Sequence, residues 1–226
     1  MSITVLDPAP LTTVQDAGRV GYAAQGYRSC GAADRYAYRL ANALVGNDPG
    51  AAVLESTLRG PALRFEADAV FSLTGAESPA ALDGVPVPYY APLLAKAGST
   101  LKIGVAASGL RSYLAVGGGI ATPPVLGSRA TDVKCGIGGL KGRKLAKGDT
   151  LLTGLCDTAA LWRIITAKHL DRPLRDKAVC RGTHSVRVQG AQTLPLLRTV
   201  PGPQDAAFTA QGLHDFTHGI YTLTPN

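Results

Sequence analysis

The chain has 226 residues, 46% apolar and 17% charged, which suffices for the core of one large domain or two small ones. That balance excludes an intrinsically disordered chain, which combines low hydrophobicity with high net charge. No run of about 18 apolar residues is present to span a bilayer, and residues 1–7 lack the basic segment and apolar core of a signal peptide. A soluble, cytoplasmic protein with no membrane role is therefore expected.

The formal charge is +7 and uneven. Residues 1–100 carry 7 basic and 9 acidic side chains, residues 101–226 carry 16 and 7. A basic half suits an anionic substrate or an acidic partner. The scarcity of interleaved aromatics argues against nucleic acid. Cys30, Cys135, Cys156 and Cys180 form no C-x-x-C pair, so four free thiols are expected.

In chain order, residues 3–6 open as a short strand. Thr12 to Asp16 then runs into a loop around Gly18 and Gly21. Residues 32–45 carry the clearest helical pattern, with Tyr36, Leu40 and Leu44 at i, i+4 and i+8 and Ala33, Ala37 and Ala41 beside them. That periodicity predicts a buried face containing all six. Asp34 sits at the start, where the helix dipole favours a carboxylate. Gly46-Asn47 closes the helix.

The remaining signals are mainly β. Residues 70–73 form an apolar run. Asp83-Gly84 between two short apolar stretches predicts a type I′ hairpin. Residues 100–105, 111–116 and 150–153 read as strands, with Gly117-Gly118-Gly119 after the second. Short strands spaced by turns indicate a barrel or sandwich. Residues 120–150, rich in Gly, Lys and Arg, read as loops. Residues 159–169 read as a helix inside a connector over 155–183, residues 185–188 as a strand, and residues 201–205 as a turn before a short helix reaching Thr217.

Several chemistries are missing a motif. There is no G-x-x-x-x-G-K-[ST] nucleotide loop and no G-x-S-x-G elbow. His214 and His218 have the i, i+4 spacing of two metal ligands, but the glutamate of H-E-x-x-H is absent. They read as surface histidines, and no metal is expected. Gly118, Gly119 and the glycines of 136–142 either cradle an anion through their N–H groups or make tight β turns. Arg129 and Asp132, in an apolar glycine-rich stretch, either pair with each other structurally or bind a polar substrate. Gln15, Asp16 and Arg19 form a second polar cluster on a loop. Glu55 follows an apolar run. If that strand is buried, the carboxylate needs a partner, which an arginine would supply.

These segments together resemble one family. The resemblance rests on Thr12-Thr13-Val14-Gln15-Asp16-x-Gly18-Arg19-x-Gly21-Tyr22 and Gly31-Ala32-x-Asp34-Arg35. Glu55-x-Thr57-Leu58-x-Gly60-Pro61, Arg111 to Ile120, Val125-Leu126-Gly127-Ser128-Arg129-x-Thr131-Asp132 and Pro201-Gly202-Pro203-Gln204-Asp205 follow in order. The pattern is similar to the biotin-dependent carboxyltransferase / allophanate hydrolase subunit 2 family, which includes a component of 5-oxoprolinase and a kinase-inhibitor antagonist.

The resemblance implies a mainly β, cyclophilin-like barrel with one helix near 32–45. It implies a first lobe over 1–154, a connector over 155–183 and the start of an incomplete second lobe over 184–226. Family members continue past Thr224-Pro225, so the expectation is a C-terminally shortened chain. The implied activity is ATP-dependent opening of 5-oxoproline to L-glutamate. The implied partners are a kinase-inhibitor-like subunit 1 and a lactam-utilisation subunit. Asp16, Arg19, Arg129 and Asp132 are the expected catalytic residues, with Gln15, Glu55, Ser128, Gly118 and Gly119 binding the small-molecule substrate.

Two alternatives accompany this expectation. One is a regulatory binding protein that antagonises a kinase inhibitor. The other is a carboxyltransferase or allophanate hydrolase component of urea degradation. The carboxyltransferase would need biotin on another polypeptide, because Met1 is the only methionine and no Met-Lys-Met biotinyl site exists here.

Overall fold

A computed structural model describes residues 1–172 and 208–218. Backbone contacts divide the chain into two units, Met1–Ser185 and Val186–Asn226. The expected strand at 185–188, the turn at 201–205 and Cys180 lie outside the described residues.

The first unit is built on two antiparallel sheets. The six-stranded sheet has the order β11 (Thr150–Leu152), β1 (Ser2–Asp7), β4 (Ala62–Phe65), β9 (Thr100–Ile103), β6 (Ala80–Leu82), β7 (Val85–Pro86). The five-stranded sheet has the order β2 (Thr12–Gln15), β3 (Val53–Thr57), β10 (Ser108–Val116), β5 (Ala69–Glu77), β8 (Pro92–Ala95). The mainly β class therefore holds, but the described strands form two sheets and not a closed barrel. Two of the sheet ends carry proline, Pro86 in β7 and Pro92 in β8, where a missing N–H costs no interior ladder bond.

The hydrophobic core explains the stacking. Ile3, Val5, Leu63, Phe65 and Leu101 of one sheet meet Val14, Leu54, Phe71, Leu73 and Leu114 of the other in one buried cluster. Phe65 and Phe71 sit 5.3 Å apart at a tilt of 32°, a favourable geometry for aromatic quadrupoles. The five-stranded sheet is buried on its second face as well. Helix α1 (Arg35–Leu44) covers Val53, Val70, Tyr113 and Ala115, with Ile165 of helix α2 (Thr158–Ala167) completing the cluster. Double-sided burial is why β3 and β5 are almost continuously buried rather than alternating.

The helix over 32–45 is present, but its buried face differs from the predicted one. Ala37, Tyr38, Ala41, Asn42 and Val45 are buried, whereas Tyr36 is 43% exposed. Small alanines let the backbone approach the sheet closely. Ser72 Oγ then donates to Ala41 O at 2.8 Å and Thr74 Oγ1 to Ala37 O at 2.7 Å. Asp34 caps the helix, accepting from the N–H groups of Tyr36 and Ala37. The Asp83-Gly84 hairpin joins β6 to β7 with φ of 51° and 84°, as a type I′ turn requires.

In the second unit, helix α3 (Ala210–His218) is exposed along its described length. His214 and His218 stack at 4.2 Å. Among the described residues no group of three or more His, Cys, Asp or Glu could hold a metal, and no helix is long and apolar enough to cross a membrane.

Candidate functional site

Two loops build the site. The first, residues 16–32, leaves the end of β2 and returns to α1. The second, residues 122–143, lies between β10 and β11. The first loop is closed by Arg19 N to Ser29 O at 2.6 Å and Ala32 N to Asp16 O at 2.9 Å. Gly18 and Gly31 touch at its neck. A Cβ on Gly31 would lie 2.8 Å from Gly18 Cα, so this crossing requires glycine. The second loop is laid along β2 by Thr131 N to Val14 O at 2.9 Å.

Asp16 joins the two loops. Its buried carboxylate accepts from Gly18 N and Ser128 Oγ at 2.8 and 2.7 Å, and from Arg129 N. A carboxylate with three donors is a structural clamp as well as a charge. Ser128 Oγ also accepts from Ala130 N at 3.0 Å, which fixes the turn that presents Arg129. Arg129 is half-buried and commits its Nε to Thr122 O at 2.7 Å.

Arg19 is 2% exposed. Its Nε donates to Val125 O at 3.2 Å and its Nη2 to Ala130 O at 3.1 Å, while Nη1 is buried without a partner. Asp132 is 1% exposed. Its Oδ1 accepts from Arg28 Nη2, Lys134 N and Cys135 N, while Oδ2 is buried without a partner. Burial by itself pushes the Asp132 carboxyl up. The Arg28 guanidinium and the Cys135 N–H outweigh it and hold the group well below the usual carboxylate range. The thiols of Cys30 and Cys135 flank this carboxylate. Burial, then the Asp132 charge, pushes the Cys30 thiol up; the Asp132 carboxylate, then burial, does the same for Cys135. Both stay protonated at neutral pH, which disfavours them as nucleophiles. Cys30, Cys135 and Cys156 are free thiols.

The other expected site residues are committed to structure. Gln15 is buried, donating to Thr13 Oγ1 and Thr131 O and accepting from Gly31 N. Glu55 has the arginine partner its burial called for: Arg111 Nη1 lies 3.1 Å from Oε1. Its Oε2 accepts from Tyr113 OH and Ala33 N, both at 2.8 Å, so it props the entry to α1 rather than facing a ligand. Gly118 N donates to Asn47 Oδ1 and Gly119 N to Val116 O, both at 2.8 Å. Those N–H groups are committed within the chain, as in a tight β turn. Arg129 and Asp132 do not pair with each other; Asp132 pairs with Arg28.

Arg28, Cys30, Thr122 and Cys135 join the site without a sequence signal. Nothing in their local spacing marks them, because they gather around Arg19 and Asp132 only when the two loops close. Two surface recesses, of 470 and 410 Å³, lie away from the two loops, one by Pro79 and Tyr89 and one by Asn47, Leu161 and the expected site residue Gly118. The functional candidate is the charged cluster, because it gathers three of the four buried side-chain atoms with unmet hydrogen bonds among the described residues; the fourth, the Tyr89 hydroxyl, belongs to a residue lining the first recess.

Two stacked antiparallel sheets with a charged, glycine-rich loop site define a mainly β domain. The chain belongs to the carboxyltransferase domain family, subdomain A and B, whose pattern it matches over residues 25–226. It is 52% identical over 143 residues to a 5-oxoprolinase subunit of Escherichia coli, covering 63% of this chain and 46% of that protein. It is 42% identical over 151 residues to urea amidolyase of Saccharomyces cerevisiae, covering 66% of this chain and 8% of that protein. The crystal structure of the K. lactis urea amidolyase superposes with a TM-score of 0.68 at 37% identity, covering 70% of this chain and 10% of that one. The chain thus spans less than half the length of these relatives.

Proposed function

We propose that the chain is a subunit of a cytoplasmic, ATP-dependent 5-oxoprolinase that opens 5-oxoproline to L-glutamate. The observation that carries this is the 52% identity to a 5-oxoprolinase subunit over 143 residues. In the reaction one water adds across the ring amide, the C–N bond breaks, and a second water is consumed in hydrolysing ATP. The proposed partners are the kinase-inhibitor-like subunit 1 and a lactam-utilisation subunit. The need for partners is supported by the chemistry at hand: among the described residues the site holds charges but no activated nucleophile.

In this reading Arg19 and Arg129 supply positive charge to the oxygen on which negative charge develops as the amide is attacked. Asp16 and Ser128 position the Arg129 turn. Asp132, held ionised, accepts a hydrogen bond from the substrate. The N–H groups of Gly117, Gly118 and Gly119 are already donated within the chain, so the glycine turn is not proposed as the ATP site.

A second reading is supported by the 42% identity to a urea amidolyase: carboxyl transfer to urea, with biotin carried on another polypeptide. Urea and 5-oxoproline share an amide group, so the same charges would serve.

The test is release of glutamate from 5-oxoproline by this chain mixed with its partner subunits and ATP, each component omitted in turn. Loss of product when this chain is left out is expected, and so is loss when Arg129→Ala replaces it. Full turnover without the chain would rule out the subunit role.

A further inference from the structure

Among the described residues only four buried side-chain polar atoms lack a hydrogen-bond partner: Arg19 Nη1, Asp132 Oδ2, Thr122 Oγ1 and Tyr89 OH. Three of the four belong to the two site loops. Arg19 is anchored on Val125 and Ala130, Asp132 follows Ala130 by two residues, and Thr122 O holds Arg129. Arg19 Nη2 on Ala130 O at 3.1 Å, with Asp132 two residues further along, sets both groups on one short stretch of the second loop. The flanking thiols are weak donors and leave the carboxylate oxygen without a strong one.

The open valences have opposite character. Arg19 offers a cationic N–H; Asp132 offers an anionic oxygen. A bare anion would satisfy Arg19 and be repelled by Asp132, and a cation would do the reverse. A neutral group with an acceptor and a donor on neighbouring atoms satisfies both, and the amide is the common group of that kind. We infer that Arg19 and Asp132 form a specificity clamp for a small amide, Arg19 Nη1 donating to its carbonyl oxygen and Asp132 Oδ2 accepting from its N–H.

The inference rests on the 5-oxoprolinase reading and deepens it by naming the residues that tell a lactam from its analogues. Arg28, whose side chain is 54% exposed, is bonded to the other Asp132 oxygen, Oδ1, and leaves Oδ2 open.

The experiment is calorimetric titration of the full chain with 5-oxoproline and with its lactone counterpart, 5-oxotetrahydrofuran-2-carboxylate. The two differ only in ring oxygen replacing N–H. A site built around that N–H should bind the lactam at least about tenfold tighter, because the lactone presents an acceptor to the carboxylate. In Asp132→Asn the preference should shrink to about threefold or less, since a carboxamide can turn its NH2 toward the ring oxygen. Equal affinities in the wild type, no binding of the lactam, or an unchanged preference in the variant would each overturn the clamp.

Should the variant fail to unfold cooperatively, NMR of the wild-type guanidinium resonances decides. The Arg19 signal should shift with 5-oxoproline and stay in place with proline, which lacks the carbonyl; equal shifts, or none, would overturn the clamp. A reconstituted complex that opens 5-oxoproline while this chain shows no lactam preference would sink the clamp and leave the subunit role standing. A lactam preference in a chain that contributes nothing to turnover would do the opposite.

Discussion

The Asp16 carboxylate accepts the backbone N–H of Arg129, a residue 113 positions later, and holds the Ser128 hydroxyl at 2.7 Å with its other oxygen. One side chain therefore staples the loop after β2 to the loop before β11. Arg19, anchored on Val125 and Ala130, and Arg28, paired with Asp132, cross between the same two loops beside it.

Asp16→Ala should cost on the order of 3 kcal/mol, since it removes charge-assisted bonds to three donors and leaves two backbone N–H groups without their acceptor. Ser128→Ala removes one hydroxyl and should cost about 1 kcal/mol. Urea unfolding of both variants, read as the shift in midpoint at constant slope, checks the ranking. A smaller loss in Asp16→Ala than in Ser128→Ala would show that the loops are joined by something else.

Tyr113→Phe tests the support beneath α1. The phenol donates to Glu55 Oε2 at 2.8 Å and accepts from Asp34 N at 2.7 Å. Removing it leaves the Asp34 N–H unsatisfied at the helix start, a loss of about 1–3 kcal/mol. Hydrogen exchange should accelerate in residues 33–38 more than in β10 itself. Uniform acceleration over the whole unit would contradict a local role.

Gly138→Ala and Gly136→Ala form a controlled pair. Both positions have positive φ, 70° and 66°. A Cβ at Gly138 would sit 2.1 Å from Ala130 O, the carbonyl that anchors Arg19, whereas one at Gly136 meets nothing within 4 Å. Gly136→Ala should cost about 1 kcal/mol from backbone strain alone. Gly138→Ala should cost about 2–4 kcal/mol and weaken lactam binding as well. Thermal unfolding and calorimetry separate the two effects.

The dependence of stability on pH has opposite signs at the two ends of the scale. Asp132 is held below the ordinary carboxylate range in the folded chain, so its contribution is complete above about pH 4, the unfolded value. It is lost as pH falls through the lower folded value, because the unfolded chain takes up the proton first. Tyr38 is pushed up to about 12 by burial and then by the Asp16 charge. Its contribution is complete below about pH 10, the unfolded value. It is lost as pH rises from there toward 12. Urea midpoints measured between pH 3 and pH 11 should fall at both extremes, and Asp132→Asn should flatten the acid limb alone.

The legibility of this chain in its sequence divides along range. Local signals survive contact with the structure: the Asp83-Gly84 hairpin, the Asp34 carboxylate at the helix start, the strand ending at Val116 and the need of Glu55 for an arginine. The face of α1 departs from its apolar periodicity: Tyr38 and Asn42 are buried through polar anchors on Ala51 O, while Tyr36 is left exposed. The sheet instead selects Ala37 and Ala41, whose small size admits the Ser72 and Thr74 hydroxyls to the helix carbonyls. Strands β4 and β8 give no clear local signal, being four residues each with Arg64 in one and Pro92 opening the other. In the site, Asp16, Arg19, Arg129 and Asp132 are legible as charges in loops. Their division into struts and open groups is not, because the cross-loop partners of Asp16, Arg19 and Asp132 lie more than 100 residues away.

The central claim is that this chain serves the opening of a lactam, and the most direct measurement is ATP hydrolysis by the reconstituted complex with 5-oxoproline or urea as the sole amide. ATP turnover should rise with 5-oxoproline, need this chain, and be unmoved by urea with bicarbonate. Turnover driven by urea and dependent on a biotin carrier, with 5-oxoproline inert, would contradict that claim and establish the carboxyltransferase reading instead.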